Sequence, residues 1–270
     1  MNSIPKSMTI IGAGAIGVEF AYFFNSFGTN ITLIEAEENI LPHEDKEVSQ
    51  WVEKVFKKKK INILTGTLAD KIDDEKILIS VGVEGNSQGM GLKEIGINFS
   101  ANHHIAVDSN GKTNIGNIYA VGDVIGSPWL AHVSAAEGLY AVEHLCGLNP
   151  KEIDYNSVPA CTYSKPEVAS IGLTEQQLVD DAIEFKVAKS FFIANGKAVA
   201  VGATDGFIKM LVGKEGNILG AHIVGSNATE MISELSVIKS NNLTVNSVLE
   251  SVHPHPTFSE AIFETLLQLK

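Results

Sequence analysis

Apolar spacing divides the first part of the chain into alternating periods. Residues 8–11 read MTII, a short continuous apolar run. They lead through GAGAIG, residues 12–17, into VEFAYFFNSF, where the apolar positions recur with helical spacing. Gly28 ends that pattern, and residues 30–34, NITLI, form a second apolar run closed by Glu35. A helix is predicted over residues 44–58, with Val48, Trp51, Val52, Val55 and Phe56 on one face. A third run, INIL, occupies residues 61–64. The order β-α-β-α-β predicts an α/β fold opening with a doubly wound parallel sheet.

Further along, strands are predicted at residues 76–82 and at 117–123, the latter (NIYAVGD) ending in a tight turn. A Gly-rich loop lies between them at 86–91, and a helix follows over 132–145. Past Pro150 the pattern changes. Strand-like pieces at 167–171, 185–192, 207–212 and 218–224 alternate with turns, and helices are expected near 228–240 and 258–269. This predicts a separate α+β domain with an antiparallel sheet. The division is therefore residues 1–82, a central segment 83–150, and a C-terminal domain 151–270.

At 270 residues and 44% hydrophobic content the chain can bury a real core and suits about two domains. Its net charge of −12 argues against nucleic acid, which is held by clustered bases. The one basic run, Lys57 to Lys60, closes a helix that opens near Glu44, Asp45 and Glu47, matching the helix dipole. All 20 basic residues are lysine, so no guanidinium fork is available to a phosphate. Cys146 and Cys161 are far apart, with no CxxC or CxxxxC, which predicts free thiols in a reducing compartment. No signal peptide, no apolar run of membrane-spanning length and no metal-ligand spacing is seen, so a soluble cytoplasmic protein without a metal is expected.

GAGAIG is a GxGxxG with a strand before it, a helix after it, and an acid ending the next strand. Gly12 allows the tight turn, Gly14 the approach of a pyrophosphate, and Gly17 close helix–strand packing, with the helix N-terminus facing the anion. Glu35 follows Gly17 by 18 residues, near the spacing expected of an acid that binds the adenosine ribose. A carboxylate there repels a 2′-phosphate, so NAD is expected over NADP in a Rossmann-type domain.

Near the C-terminus stands HPHPTFSEA, residues 253–261. Thr257 and Glu260 form T-x-x-E before an apolar run, the pattern of a capping box, with His255 as its flank. The same residues allow a second reading, an imidazole and a carboxylate paired for proton transfer. Two X-Pro steps hold both histidines extended, and either bond could be cis.

Several stretches together, IPKSMTIIGAGAIGVEF, TLIEAEENILP, ILISVGVEGN, NIYAVGDVIGSPWLAHVSAAEG, PEVASIGLTEQQL, ILGAHIVGSNATEMI and HPHPTFSEAI, resemble the dihydrolipoyl dehydrogenases, a branch of the pyridine nucleotide-disulfide oxidoreductases. The resemblance implies a homodimeric FAD enzyme. Such enzymes oxidise the dihydrolipoyl arm carried by the acyltransferase of 2-oxoacid dehydrogenase complexes, such as the pyruvate dehydrogenase complex, and pass the electrons through a redox disulfide and FAD to NAD. It places Gly12, Gly14, Gly17 and Glu35 at NAD, with Glu19 near the nicotinamide. Asp123, by pattern alone a turn residue, is placed at the FAD ribityl chain. The helix start Leu130, Ala131 and His132 is pointed at the flavin, and Gly82 is also counted among the cofactor-binding positions. His255 becomes the base for a dihydrolipoamide thiol and Glu260 its orienting partner. His253 is also expected.

The chain departs from that pattern in four places. Val83 stands where many relatives carry arginine, and Pro254 replaces a small residue. Only residues 65–76 bridge the third and fourth strands, where relatives have an antiparallel meander. The family's own FAD-binding GxGxxG and its CxxxxC pair are not in this sequence. The domains read accordingly as a shortened NAD domain, a remnant of the FAD domain, and a dimerisation domain. The chain alone is expected to be inactive. The alternative is a non-catalytic NAD-binding and dimerisation fragment.

Overall fold

The computed structural model describes residues 3–70, 72 and 74–270. Met1, Asn2, Lys71 and Asp73, all within the predicted segment 1–82, lie outside the described residues. The chain forms two compact units: Met1–Val81 together with Asn156–Lys270, and Gly82–Tyr155.

The first unit opens with β1 (Ser7–Ile11), α1 (Ala15–Ser26), β2 (Asn30–Ile34), α2 (Lys46–Lys58), β3 (Asn62–Leu64) and β4 (Ile77–Ile79). The strands are parallel in the order β3-β2-β1-β4, with Thr9 opposite both Thr32 and Ile77. Alternate residues Met8, Ile10, Ile31 and Leu33 bury against Val18, Ala21 and Phe24 of α1 and Val48, Val52 and Phe56 of α2. Both helices thus lie on one face, as right-handed crossovers require. On the other face Leu64, Ile77 and Ile79 are exposed, and the Thr9 hydroxyl donates to Asp74 of the short connection. The predicted strand 76–82 shrinks to three residues, because its neighbour β1 ends at Ile11. Asp45 caps α2, Glu47 lies in its first turn, and Lys57 and Lys58 in its last, the predicted dipole arrangement.

The unit Gly82–Tyr155 is built around α3 (Ala131–Leu145). The strand predicted at 117–123 is not formed. Tyr119 makes one isolated bridge with Lys112, and a 3-10 turn follows at Gly122–Ile125. Apolar periodicity marks a segment able to be a strand, but a ladder needs a neighbour, and among the described residues only that single pair is supplied. Buried Glu137 on α3 accepts from the Gly122 amide at 2.6 Å and the Tyr155 hydroxyl at 2.8 Å. Burial and Glu137 push the Tyr155 phenol up to about 12, so it remains a donor.

The rest of the first unit comprises β5 (Ala160–Thr162), β6 (Glu167–Gly172), α4 (Glu175–Asp180), β7 (Phe185–Phe191), α5 (Gly196–Ala200), β8 (Phe207–Gly213), β9 (Ile218–Gly225), α6 (Ala228–Ser240), α7 (Val245–Leu249) and α8 (Glu260–Leu267). The antiparallel sheet runs β5-β6-β9-β8-β7. One face (Ile208, Met210, Ile223) packs on Met231, Ile232 and Leu235 of α6 and Ile262 and Leu266 of α8. The other face places Val168, Phe207 and Val224 in the core of the parallel sheet and its helices. A strand buried on both faces reads as continuously apolar, and β8 does so except at one position.

That position is Lys209. Its side chain is 1% exposed and its ammonium donates to both oxygens of Asp45 at 2.9 Å, to Glu47 at 2.9 Å and to Glu175 at 2.6 Å. Burial alone would pull the lysine down, but the three carboxylates outweigh it and hold the ammonium well above its usual range. The cluster joins α2, α4 and β8, fastening the parallel sheet's helical layer to the antiparallel sheet. Beside it, Glu44 accepts from the Ser170 hydroxyl at 3.0 Å, while its other oxygen is buried without a partner. Burial, with Asp45 adding, pushes the Glu44 carboxyl up to about 7 despite that hydrogen bond.

Two outcomes follow from these groups. Lys209→Ala strands the buried carboxylate of Asp45 and should cost about 3–5 kcal/mol of unfolding free energy in urea titrations. Glu44 binds its proton more tightly folded than unfolded. Its contribution is therefore fully present below about 4.5, the ordinary glutamate value, and is lost as pH rises to about 7. Thermal midpoints of wild type should fall across that window relative to those of Glu44→Gln.

Candidate active site

The turn between β1 and α1 requires glycine at two of its three predicted positions. Gly12 has φ 93°, and a Cβ there would stand 2.3 Å from the Ser80 carbonyl oxygen. A Cβ at Gly17 would stand 1.9 Å from the Gly12 carbonyl oxygen. Gly14 is the N-cap of α1 with φ −68°, and nothing lies within 4 Å of where its Cβ would be. The first and third glycines close the turn, and the second leaves open space in front of the helix. No side chain caps α1 and no acid lies in its first turn, so its leading amides suit an anion.

Glu35 holds this loop. Its Oε2 accepts from the Ala13 amide at 2.6 Å and its Oε1 from the Glu37 amide at 3.0 Å, while the Leu41 amide donates to the Ala13 carbonyl at 2.7 Å. Each carboxylate oxygen has a second lone pair for a ribose hydroxyl. Glu19, one turn into α1, accepts from the Tyr163 amide just after β5 at 2.7 Å.

The structure brings His255 and Glu260 together, and the one carboxylate makes contacts belonging to both readings of the C-terminal motif. His255 Nδ1 lies 2.9 Å from Glu260 Oε1, and Glu260 Oε2 accepts from the Thr257 amide at 2.8 Å. The predicted reciprocal capping box is not formed. The Thr257 hydroxyl donates to the Pro254 carbonyl instead, and α8 begins at Glu260 with Ser259 as its cap position. One carboxylate thus serves the backbone with one oxygen and the imidazole with the other. The Thr257 amide first, then His255, hold the Glu260 carboxyl below its usual range. An ionised carboxylate only accepts, so the Nδ1 that faces it carries a proton, which in a neutral ring leaves the lone pair on Nε2. The His255 side chain is 76% exposed. The His255–Pro256 bond is cis.

In the other unit, Asp123 is exposed in the Gly122–Ile125 turn, and Leu130 is the N-cap of α3, followed by Ala131 and His132, both exposed. No side chain caps α3 at Leu130. Gly82 has φ 124°, which favours glycine.

Sequence reasoning missed three supports. Asn195 is 1% exposed; its carbonyl caps α5 through the Ala198 amide and its amide group donates to the Thr257 carbonyl at 3.1 Å. Lys209 was legible only as a charge inside FIKMLV. Glu234 pairs with the expected His253 at 2.8 Å, a contact without any local spacing signal.

The fold and sites define a two-part α/β protein, a parallel βαβ half with a glycine turn joined to an antiparallel domain bearing an imidazole–carboxylate pair. The family model described as pyridine nucleotide-disulphide oxidoreductase matches residues 2–138, and that of the same family's dimerisation domain matches residues 158–266. The chain belongs to the pyridine nucleotide-disulphide oxidoreductase family. Dihydrolipoyl dehydrogenases of Bacillus subtilis and Zymomonas mobilis are 41% and 39% identical to it, over alignments covering 99% and 98% of this chain. The chain spans only 61% and 62% of those relatives. The alignments run to 290 and 288 positions, longer than the chain itself, so the relatives carry extra residues inside the matched region. Among solved structures, LpdA from Mycobacterium tuberculosis matches with TM-score 0.93 at 24% identity, over 100% of this chain and 63% of that one. The HOCl-induced flavoprotein disulfide reductase RclA from Escherichia coli matches with TM-score 0.93 at 24% identity, over 100% and 66%. Both show the fold. No helix among the described residues is long and apolar enough to cross a membrane, and no metal-holding cluster occurs among them.

The glycines give a paired test. Gly17→Ala should displace the Gly12–Ala13 turn and lower the thermal midpoint, whereas Gly14→Ala should leave it unchanged, as read by circular dichroism melts.

Proposed function

We propose that this chain is the NAD-binding, central and dimerisation portion of a dihydrolipoyl dehydrogenase. The observation that supports this most directly is an exposed imidazole whose Nδ1 is held 2.9 Å from an ionised carboxylate, leaving Nε2 free as a base.

In this reading His255 Nε2 takes the proton from a thiol of dihydrolipoamide. The thiol becomes a thiolate, and the imidazolium that forms is stabilised by Glu260 through Nδ1–H. An imidazole carries its charge change near neutral pH, where a free thiol is mostly protonated, so the base raises the thiolate fraction. FAD, when bound, supplies electron transfer between the dithiol and NAD. Asp123 and the first turn of α3 from Leu130 to His132 would hold it, consistent with the exposure of Asp123 and with the lack of a side-chain cap at Leu130. The redox disulfide would come from polypeptide beyond this sequence, since Cys146 and Cys161 are both free. NAD would lie on the Gly12–Gly17 turn with its ribose at Glu35 and its nicotinamide near Glu19, and Gly82 is retained among the cofactor-binding positions. The exposure of His255 suits a base offered to the partner subunit of a homodimer. The lipoyl-bearing acyltransferase of a 2-oxoacid dehydrogenase complex, in the cytoplasm, would be the partner.

The test compares His255→Gln with wild type in the protein that also carries the N-terminal FAD and CxxxxC region. NAD-linked oxidation of dihydrolipoamide should fall roughly 10²–10⁴-fold. Calorimetric titration of the present chain should show NAD binding and much weaker NADP binding. Unchanged dihydrolipoamide turnover in the variant contradicts the proposed base, while NAD binding without any turnover in the longer protein favours a non-catalytic fragment.

A further inference from the structure

His253 and His255 stand two residues apart and face different carboxylates. His255 is exposed, whereas the His253 side chain is only 10% exposed, with Nε2 2.8 Å from Glu234 Oε1 on α6. Its Nδ1 is buried with no hydrogen-bond partner, and its ring lies 5.7 Å from that of Phe263 on α8. Packing does not account for a histidine here. An apolar ring would fill the same space against Phe263 without an unsatisfied nitrogen, and a buried polar pair is commonly no more stabilising than an apolar replacement. What the histidine adds is direction, since a hydrogen bond to a carboxylate fixes the ring, and through it the backbone, in a way that apolar contact does not.

The fixed backbone is the lead-in to His255. Ten residues separate the end of α7 at Leu249 from the start of α8 at Glu260. Downstream of His255 this segment is tied by the Thr257 amide to Glu260 and by Asn195 to the Thr257 carbonyl. Upstream of it, the Ser251 hydroxyl donates to the Ser247 carbonyl and the Thr257 hydroxyl to the Pro254 carbonyl, both ties being local, whereas the pairing of His253 with Glu234 ties the segment to α6. The His255 ring, 76% exposed, has Glu260 as its hydrogen-bonding partner and Gly196 at its edge, where a Cβ would stand 3.9 Å from Cε1. Its tautomer therefore depends on how steadily the segment presents Nδ1 to Glu260.

We infer that Glu234, acting through the buried ring of His253, is a positioning residue that keeps His255 in the Nδ1–H tautomer with Nε2 unprotonated. The inference rests on the proposed role of His255 as the base, but its geometry can be read without turnover. Glu234 touches no reacting atom in this account; its effect reaches the site through the backbone of His253 and Pro254.

The experiment uses the present chain labelled with nitrogen-15 at histidine. Ring nitrogen shifts of His255, assigned by their loss in His255→Gln, are recorded at a pH where the imidazole is neutral. In wild type the Nδ1 signal should have the shift of a protonated nitrogen and the Nε2 signal that of a bare one. In Glu234→Ala, and in His253→Phe, which keeps the packing on Phe263, the two shifts should move toward each other as the tautomers mix. Glu234→Gln, whose amide oxygen can still accept from Nε2–H, should restore the wild-type pattern. A merely structural role lowers the melting temperature without moving these shifts. Unmoved shifts in a folded His253→Phe chain overturn the inference. Moved shifts in this chain, with undiminished dihydrolipoamide turnover by the longer protein carrying the same substitution, would instead count against the proposed base.

Discussion

The ammonium of Lys209 is the tie on which the larger unit depends. It sits in the middle of a strand buried on both faces, and the carboxylates that satisfy it come from α2 and from the start of α4. Asp45 also caps α2 by accepting from the Glu47 amide, so the residue that starts this helix also anchors it to the antiparallel sheet. The same stretch of chain reaches the glycine turn, because the Leu41 amide donates to Ala13 and the Ser49 hydroxyl to Leu41. A glycine turn that needs two glycines for steric reasons is therefore backed by an ionic cluster around a buried ammonium and not by apolar packing alone. Such a cluster gives little net stability over an apolar core, but it specifies one arrangement of the helices, because displacing any partner leaves a buried charge.

The two candidate sites are built differently. The glycine turn is a backbone device: its shape follows from missing Cβ atoms, and its acid, Glu35, is committed to the loop's own amides. The C-terminal pair is a side-chain device mounted on an irregular segment, and it needs ties from α5, α6 and α8 to hold still. Loops positioned by a scaffold commonly carry chemistry for this reason. Mounted on that segment, the His255 side chain stays 76% exposed while Glu260 holds its ring.

Much of this was legible in the sequence where the signal is local. The apolar runs before and after GAGAIG, the helix ending in lysines, and the alternation past Pro150 each reflect contacts that the local period encodes. The strand expected at 117–123 did not form, because pairing is a non-local requirement that periodicity cannot report. At Thr257 and Glu260 two local rules overlapped. The capping pattern and the base pattern share one carboxylate, and only the geometry shows its oxygens divided between the Thr257 amide and the imidazole. Lys209, Asn195 and Glu234 were invisible as supports, since their partners lie many residues away and their own spacing is unremarkable.

The central claim is that His255 is the group that ionises the dithiol. The most direct measurement separates the two half-reactions in the protein carrying the N-terminal region, by stopped-flow reduction of its bound flavin with dihydrolipoamide and, separately, with NADH. The account predicts that His255→Gln slows reduction by dihydrolipoamide strongly and leaves reduction by NADH near the wild-type rate. Equal rates with dihydrolipoamide in wild type and variant would contradict it.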